Sequence, residues 1–387
     1  MSKCLYCGNN PVPHFLTWLN VSSVVILTPF HRWLTTTRLG GFFNWLADGV
    51  LCGLFLLCKL VGLISWYNNR EACTIARAAV LWEEAEARGV TMQGAMFLKR
   101  PIDFYRVKLK GKWIFFNGLP RPEGIDTSAQ LWMDDKAVVK DMLAAADLPV
   151  ARGGSFADFG VMAQVFRSLE KPVIVKPRLG SRGRHTTTYI YKEAQLAEAF
   201  KIAKQLCHWV VMEEHLVGSV YRGTMIEGKL RGVLGGDPPR IIGDGVHSIV
   251  ELVDLKNASK PDGVEDIKIS SVTLDFLSRN NYNLQTVLPV GKTIDLTEKI
   301  GVSYGGSSYE ITEDTHPDIG IILEKAARVI GDPLLGFDFI IPDVTRAPQG
   351  QKWGIIECNG IPFINLHHFP LLGKPNNVAK YVWDMVV

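Results

Sequence analysis

Two acids and an amide stand where a strand-forming sequence ordinarily carries apolar side chains. Asp338 lies inside the run LGFDFII (residues 335–341), and Glu357 and Asn359 lie in WGIIECNG (353–360). In the second run Ile355, Glu357 and Asn359 alternate with Ile356 and Cys358, so period-two geometry puts Glu357 and Asn359 on one face. A carboxylate in so apolar a setting is costly unless it is paired or holds a cation. Two carboxylates and an amide oxygen form an all-oxygen set, which suits Mg²⁺ shared with substrate phosphates and is wrong for zinc. The competing reading is a structural one, in which each acid is paired with a nearby Arg or Lys.

These residues need a frame. GFDFIIPD and WGIIECNG, joined by a polar turn, read as the two strands of a hairpin. Upstream, Lys176 ends a strand, VIVKP, and the loop RLGSRGRH (178–185) follows. Gly180 and Gly183 free the backbone there to turn N–H groups toward a phosphate, with Ser181 between them and Arg184 among the flanking cations. The loop runs into another strand, TTTYIY, so it is not a Walker loop, which must open a helix. Gly291-Lys292-Thr293 is a decoy, because Thr286 stands where that motif needs its first glycine. Lys136 falls early in a helix expected over residues 134–147 that stops before Pro149. Glu213-Glu214-His215-Leu216 follows the strand WVVM, at a point where a chain can hinge between lobes.

At 387 residues the chain has room for two or three domains. Its 47% hydrophobic and 21% charged content is that of a globular protein, and a net charge of +3 with no basic stripe argues against nucleic acid. Seven scattered cysteines fit a reducing cytosol better than a disulfide framework, and no secretory signal opens the chain. Cys4 and Cys7 have the spacing of a zinc knuckle. A full site needs four ligands, with His14 a third candidate and Cys73 a distant one; two free thiols are the competing reading. Residues 15–30 and 42–67 are strongly apolar, and 49–66 approaches the length of a membrane span, though Asp48 and Lys59 weaken that reading. The alternatives are a buried helix or one lying in a dimer or membrane interface, with Arg32 and Arg38 at the headgroups.

A helix over 71–88 and strands in VTMQGAMF and YRVKLKGKWIFFNG make a small α/β unit. Then come a helix at 159–170, strands at 172–176 and 186–191, a helix at 192–205, and strands at 209–213, 221–225 and 230–234. Strands joined by hairpins in this mixed order argue for α+β over a doubly wound parallel sheet.

The order Lys136, Lys176-Pro177, glycine loop, Glu213-Glu214-x-Leu216, Asp338, Glu357-x-Asn359 resembles the ATP-grasp superfamily over residues 130–387. VVMEEHLVG followed by Tyr221-Arg222, PPRIIGDGVHSIVEL, YGGSSYEITEDTHPD and IIECNGIPFINLHHFPLLGKP are most similar to the ATP-grasp domain of cyanophycin synthetases. The resemblance implies an ATP-grasp fold over 130–387, with a lid over about 150–212, preceded by a pre-domain over 71–129 and an apolar N-terminal segment over 1–70. It implies ATP between two lobes, with Lys136 and Lys176 on phosphates, Gly180, Ser181, Gly183 and Arg184 in the lid loop, and Glu213, Glu214 and Leu216 at the adenine. Asp338, Glu357 and Asn359 then carry two Mg²⁺ ions, with Mn²⁺ an alternative, and Arg222 and Arg240 stabilise transferred charge.

The sequence also departs from that family. Val220 stands where an acid for the ribose is usual, and Asn365 and Leu372 are uncharged where an arginine and an acid are expected. His367 is kept, and with Asn365 is a weak substrate candidate. No G-x-x-x-x-G-K-[ST] is present, so the C-terminal Mur-ligase-like domain is not expected.

The implied activity is a cytoplasmic carboxylate–amine ligase working through an acyl phosphate on an amino acid or peptide. The partners are ATP and small carboxylate and amine substrates, with membrane contact through residues 15–67 and self-association as further candidates. Its rivals are glutathione-synthetase-like or D-alanine-ligase-like enzymes with other substrates, and a non-catalytic nucleotide-binding or membrane-associated module.

Overall fold

A computed structural model describes residues 4–7, 11–36, 57, 58, 60–122, 132–181 and 183–387. Helix α1 (His14–Thr36) comes first. An antiparallel sheet in the order β1-β2-β3-β4 follows, built from Ile64–Tyr67, Thr91–Phe97, Arg100–Leu109 and Lys112–Asn117, with α2 (Ala76–Ala87) inserted after β1. Helix α3 (Lys136–Ala145) leads into a four-stranded sheet in the order β5-β8-β6-β7: Gly153–Phe156, Val210–Glu214, Val173–Pro177 and Thr187–Ile190. It is covered by α4 (Phe159–Ser168) and α5 (Glu193–Lys204), and it is the segment expected to form the lid.

The main sheet runs in the order β13-β10-β9-β14-β15, from Ser307–Glu310, Lys229–Asp237, Ser219–Ile226, Leu334–Ile341 and Gly354–Asn359. Helix α8 (Pro317–Ile330) packs on it. An insertion between β10 and β13 holds β11 (Arg240–Ile242), α6 (Ile249–Ala258), α7 (Ser271–Arg279) and β12 (Thr293–Asp295). The chain closes with the short α9 (Asn365–His368) and α10 (Val378–Val386).

Alternation explains why β14 can hold an acid. Leu335, Phe337, Phe339 and Ile341 point into one core with α3 and α8, while Asp338 points to the other face. Fully burying each of those side chains contributes roughly 1.5–3 kcal/mol, enough to hold the strand's register against the cost of its carboxylate. On β15 the expected alternation is interrupted. Asp338 pairs with Glu357 and Phe339 with Ile355, so Ile356 is an extra residue, a β-bulge. Simple alternation puts Ile355 on the face of Glu357; with the bulge, Ile355 joins Cys358 in the core.

Other expectations shift too. The helix expected to begin at residue 71 begins at Ala76, after a 3₁₀ turn over Arg70–Ala72, because Ile75 is extended. The end of the apolar run at 42–67 is the edge strand β1, which leaves no helix at residues 64–67. Most of that run, with Arg38, lies outside the described residues; among those described, no helix is long and apolar enough to cross a membrane. Helix α1 packs Val21, Val24 and Val25 against Leu179, Cys207 and Trp209 of the lid segment, and Ser22 Oγ accepts a bond from the His208 N–H at 3.0 Å.

Two glycines bracket the lid sheet. A Cβ at Gly153 (φ +149°) would lie 2.1 Å from the Met212 carbonyl oxygen, and one at Gly218 (φ +146°) 2.4 Å from that of Ile341. Both positions combine a backbone conformation that disfavours side chains with no space for one.

Candidate functional site

Register builds the first half of the site. Arg222 on β9 sits opposite Asp338 on β14, which sits opposite Glu357 on β15, so three charged side chains form a row across three strands. Arg222 donates through Nε to Asp338 Oδ1 at 2.6 Å and through a second nitrogen to Oδ2 at 2.7 Å. This fork-to-fork pair is the strong geometry for arginine and carboxylate. Burial alone lowers the Arg222 pKa, but Asp338 more than compensates and raises it. Glu357 lacks an equally close partner. Burial raises its pKa, with Lys136 pulling against the rise and Asp338 adding to it. Asn359 is on the same strand, and its Nδ2 is buried with no hydrogen-bond partner among the described residues.

Helix α3 delivers the lysine that joins the two halves. Asp135 caps it, accepting the Ala137 N–H at 3.0 Å and the Val138 N–H at 3.3 Å, and the same fully buried carboxylate receives Arg178 Nε at 2.8 Å. Arg178 opens the glycine loop, so the helix start and the loop are fastened together. Lys136, the first helical residue, reaches the Gly180 carbonyl at 2.7 Å and lies 3.9 Å from Glu357 Oε2.

The second half is basic. On β8 the side chains of Glu213 and Glu214 alternate. Glu213 takes Lys176 Nζ at 2.8 Å and Lys140 Nζ at 3.2 Å. Burial alone would raise the Glu213 pKa, yet Lys176 and Lys140 bring it below its ordinary value. Glu214 instead accepts the Glu170 N–H at 3.0 Å and pairs with Arg152 at 3.4 Å. Both acids belong to the strand and are buried, whereas the sequence ends the strand at Glu213 and expects a hinge there. Leu216 is buried just beyond.

The glycine loop carries left-handed backbone at both glycines, φ +140° at Gly180 and +57° at Gly183. A Cβ at Gly180 would meet nothing within 4 Å, so that position faces open space. Ser181 Oγ is 3.4 Å from Arg184, and the Gly183 carbonyl accepts Lys299 from the insertion.

Three expected residues stand elsewhere or are already engaged. Arg240 pairs with Asp295 at 2.6 Å and Asp237 at 3.1 Å, bracing the β11–β12 ribbon. His367 is fully buried, with Nδ1 2.6 Å from Glu310 and Nε2 2.8 Å from Thr224 Oγ1, so both ring nitrogens are spent on the protein. Asn365 opens α9 as backbone, its carbonyl accepting the Phe369 N–H at 3.1 Å. Asp135 and Lys140 are not singled out in the sequence, and Arg178 figures there only as a cation flanking the glycine loop. Lys140 was readable as the i+4 neighbour of Lys136, and Asp135 as a cap immediately before the helix.

No protein-family model matches the chain. Curated relatives do. A cyanophycin synthetase of Synechocystis sp. is 30% identical over 261 residues, 65% of this chain and 30% of its own length. The glutathione biosynthesis bifunctional protein of Listeria monocytogenes is 28% identical over 316 residues, 79% of this chain and 40% of its own length. The chain thus spans less than half of either relative. Among solved structures, a bifunctional glutathione synthetase from Pasteurella multocida superposes with a TM-score of 0.54 at 24% identity, over 80% of this chain and 43% of that one. The chain has the ATP-grasp fold. The row Arg222–Asp338–Glu357 lies in the main sheet, Lys176 and Glu213 lie in the four-stranded β5-β8-β6-β7 sheet, and Lys136 reaches the glycine loop of the second and the hairpin of the first.

Proposed function

We propose that this protein is an ATP-dependent ligase that joins a carboxylate to an amine, drawing both from amino acids or short peptides. One observation carries the reading: the Lys136 ammonium is bonded to the lid loop at Gly180 and lies within 3.9 Å of the acid hairpin at Glu357. A lysine there meets a phosphate chain laid between lid and sheet. Lys176 is the second phosphate cation, the backbone of 180–183 covers the chain, and Glu213, Glu214 and Leu216 border the base. The relatives' names, cyanophycin synthetase and glutathione biosynthesis protein, support the substrate class.

The donor set suits Mg²⁺. It is all oxygen, the cation paired with Glu357 is Lys136 at 3.9 Å, and the Asn359 amide nitrogen is buried without a hydrogen bond among the described residues, so the amide can turn its oxygen inward. Asp338, Glu357 and Asn359 would hold the metal, which when bound neutralises phosphate charge. Asp338 already has both oxygens on Arg222, so a cation there shares that carboxylate with the guanidinium or displaces it.

The protein's own part is placement and electrostatics. A substrate carboxylate oxygen attacks the γ-phosphorus and ADP leaves. The amine nitrogen then attacks the acyl carbon, inorganic phosphate departs with the carbonyl–phosphate oxygen, and the ammonium proton passes to solvent. Lys136 and Arg222 lie beside the acid row where charge develops, and no side chain acts as nucleophile. Cys358, buried in the core with burial raising its pKa well above the ordinary value, is packing.

ADP release screened against amino acids and short peptides should depend on an added amine. Glu357→Gln should lower that release on the order of 10²–10³-fold while circular dichroism stays native. Unchanged turnover in the variant refutes the cradle.

A further inference from the structure

The N-terminal cysteines lie against a residue far away in sequence. Cys4 precedes and Cys7 ends a 3₁₀ turn (Leu5–Cys7), His14 is the first residue of α1, and His185 lies two residues past Gly183 in the glycine loop. Cys7 Sγ is 3.3 Å from His14 Nε2 and 3.4 Å from His185 Nε2, and Cys4 Sγ is 3.5 Å from His185 Nε2. All four ligand atoms lie within 4.8 Å of one another. Cys73, the distant candidate from the sequence, is elsewhere, with its sulfur 3.6 Å from the Ile75 carbonyl and 3.9 Å from the Tyr105 hydroxyl.

We propose that Cys4, Cys7, His14 and His185 form a structural zinc site that clasps the N-terminal turn to the lid loop. The distances match the ion. Bonds of about 2.3 Å to sulfur and about 2.0 Å to nitrogen at tetrahedral angles put neighbouring S and N atoms roughly 3.5 Å apart. The tautomer matches as well. His185 Nδ1 is 2.8 Å from the Ile202 carbonyl, an oxygen that only accepts, so Nδ1 carries the proton and Nε2 presents its lone pair to the sulfurs. His185 is fully buried.

Thiol–imidazole hydrogen bonds are the rival account. His185 Nε2 has a single lone pair and accepts one thiol proton, yet both sulfurs lie within 3.5 Å of it. The second approach is left unexplained, whereas one ion uses all four groups. Two thiolates, two neutral rings and Zn²⁺ sum to zero charge, which burial favours.

The clasp has a structural purpose. The His185 N–H donates to the Tyr6 carbonyl at 3.1 Å, and α1 continues the contact by laying its valines on Leu179, Cys207 and Trp209. Zinc would thus tie chain positions nearly 180 residues apart and pin the far end of the glycine loop. The inference stands whether or not the chain is a ligase.

The full chain, purified with reductant and exchanged into metal-free buffer, should take up one Zn²⁺ by atomic emission. Loaded with Co²⁺, it should show the thiolate charge-transfer and strong visible bands of a tetrahedral S₂N₂ site. Cys4→Ser, Cys7→Ser and His185→Gln should each abolish those bands, while Cys73→Ser keeps them. Because His185 supports the lid's packing, the half-buried Cys4 provides the variant least able to disturb the fold. A chelator should lower the melting temperature of the native chain and leave that of the Cys4→Ser/Cys7→Ser chain unchanged. Absence of metal in the native chain, or Co²⁺ bands that persist in Cys4→Ser, overturns the site.

Discussion

The two halves of the site solve opposite charge problems. On the main sheet two carboxylates, Asp338 and Glu357, stand side by side, and the guanidinium in their row, Arg222, is forked onto Asp338. Across the β5-β8-β6-β7 sheet and α3 two ammonium groups, Lys176 of β6 and Lys140 of α3, share one carboxylate, Glu213. One half has acid to spare and the other has base to spare, and Lys136 stands between them. A buried pair that is complete in itself is a poor receptor, because it has no charge left to offer. Incomplete pairs of opposite sign, facing each other, suit a ligand that brings a cation to one side and an anion to the other. Metal-bound nucleotide is such a ligand.

The comparison breaks most readily at Glu213. Glu213→Gln strands two nearly buried lysines and should cost about 3–5 kcal/mol in urea unfolding. Native stability in that variant means the two lysines do not need their acid. The same carboxylate sets a pH dependence. Its folded pKa is below the ordinary value, so its contribution is full above the unfolded value and is lost as pH falls through the folded one. Acid titration of the melting temperature should therefore be flatter in Glu213→Gln than in the native chain.

The main-sheet half is tested at Arg222. Arg222→Met leaves Asp338 without its fork and should cost roughly 1–3 kcal/mol, less than at Glu213 because both side chains keep some solvent. Added Mg²⁺ should recover part of that loss in the single variant and none in Arg222→Met/Asp338→Asn. Equal behaviour of the two reduces the row to an ion pair. The smallest effect is expected at Val220, half-buried on β9 opposite Ile340. Val220→Asp should tighten ATP by about 1 kcal/mol in calorimetry if a ribose contact is lacking; unchanged affinity means another group already serves.

The hairpin was legible because strand alternation and apolar flanks make an acid conspicuous, and the glycine loop because its two glycines sit between strands. The bulge at Ile356 was not legible, since one inserted residue leaves the run of types unchanged while turning Ile355 into the core. Strand β1 was hidden inside an apolar run because a four-residue edge strand carries too little period of its own. Asp135 falls inside the helix expected over 134–147, and its hold on Arg178 is a contact across 43 positions that no local pattern reports. His185 was invisible as a partner of Cys4 and Cys7 for the same reason, being 181 and 178 residues away.

The two crowded glycines, Gly153 and Gly218, limit how the sequence can change. Each has a neighbouring carbonyl oxygen where a methyl group would have to go, and Gly153 is also paired with Glu213 inside its sheet. Surface positions around them can be reworked, yet at these two even alanine brings both backbone strain and a clash.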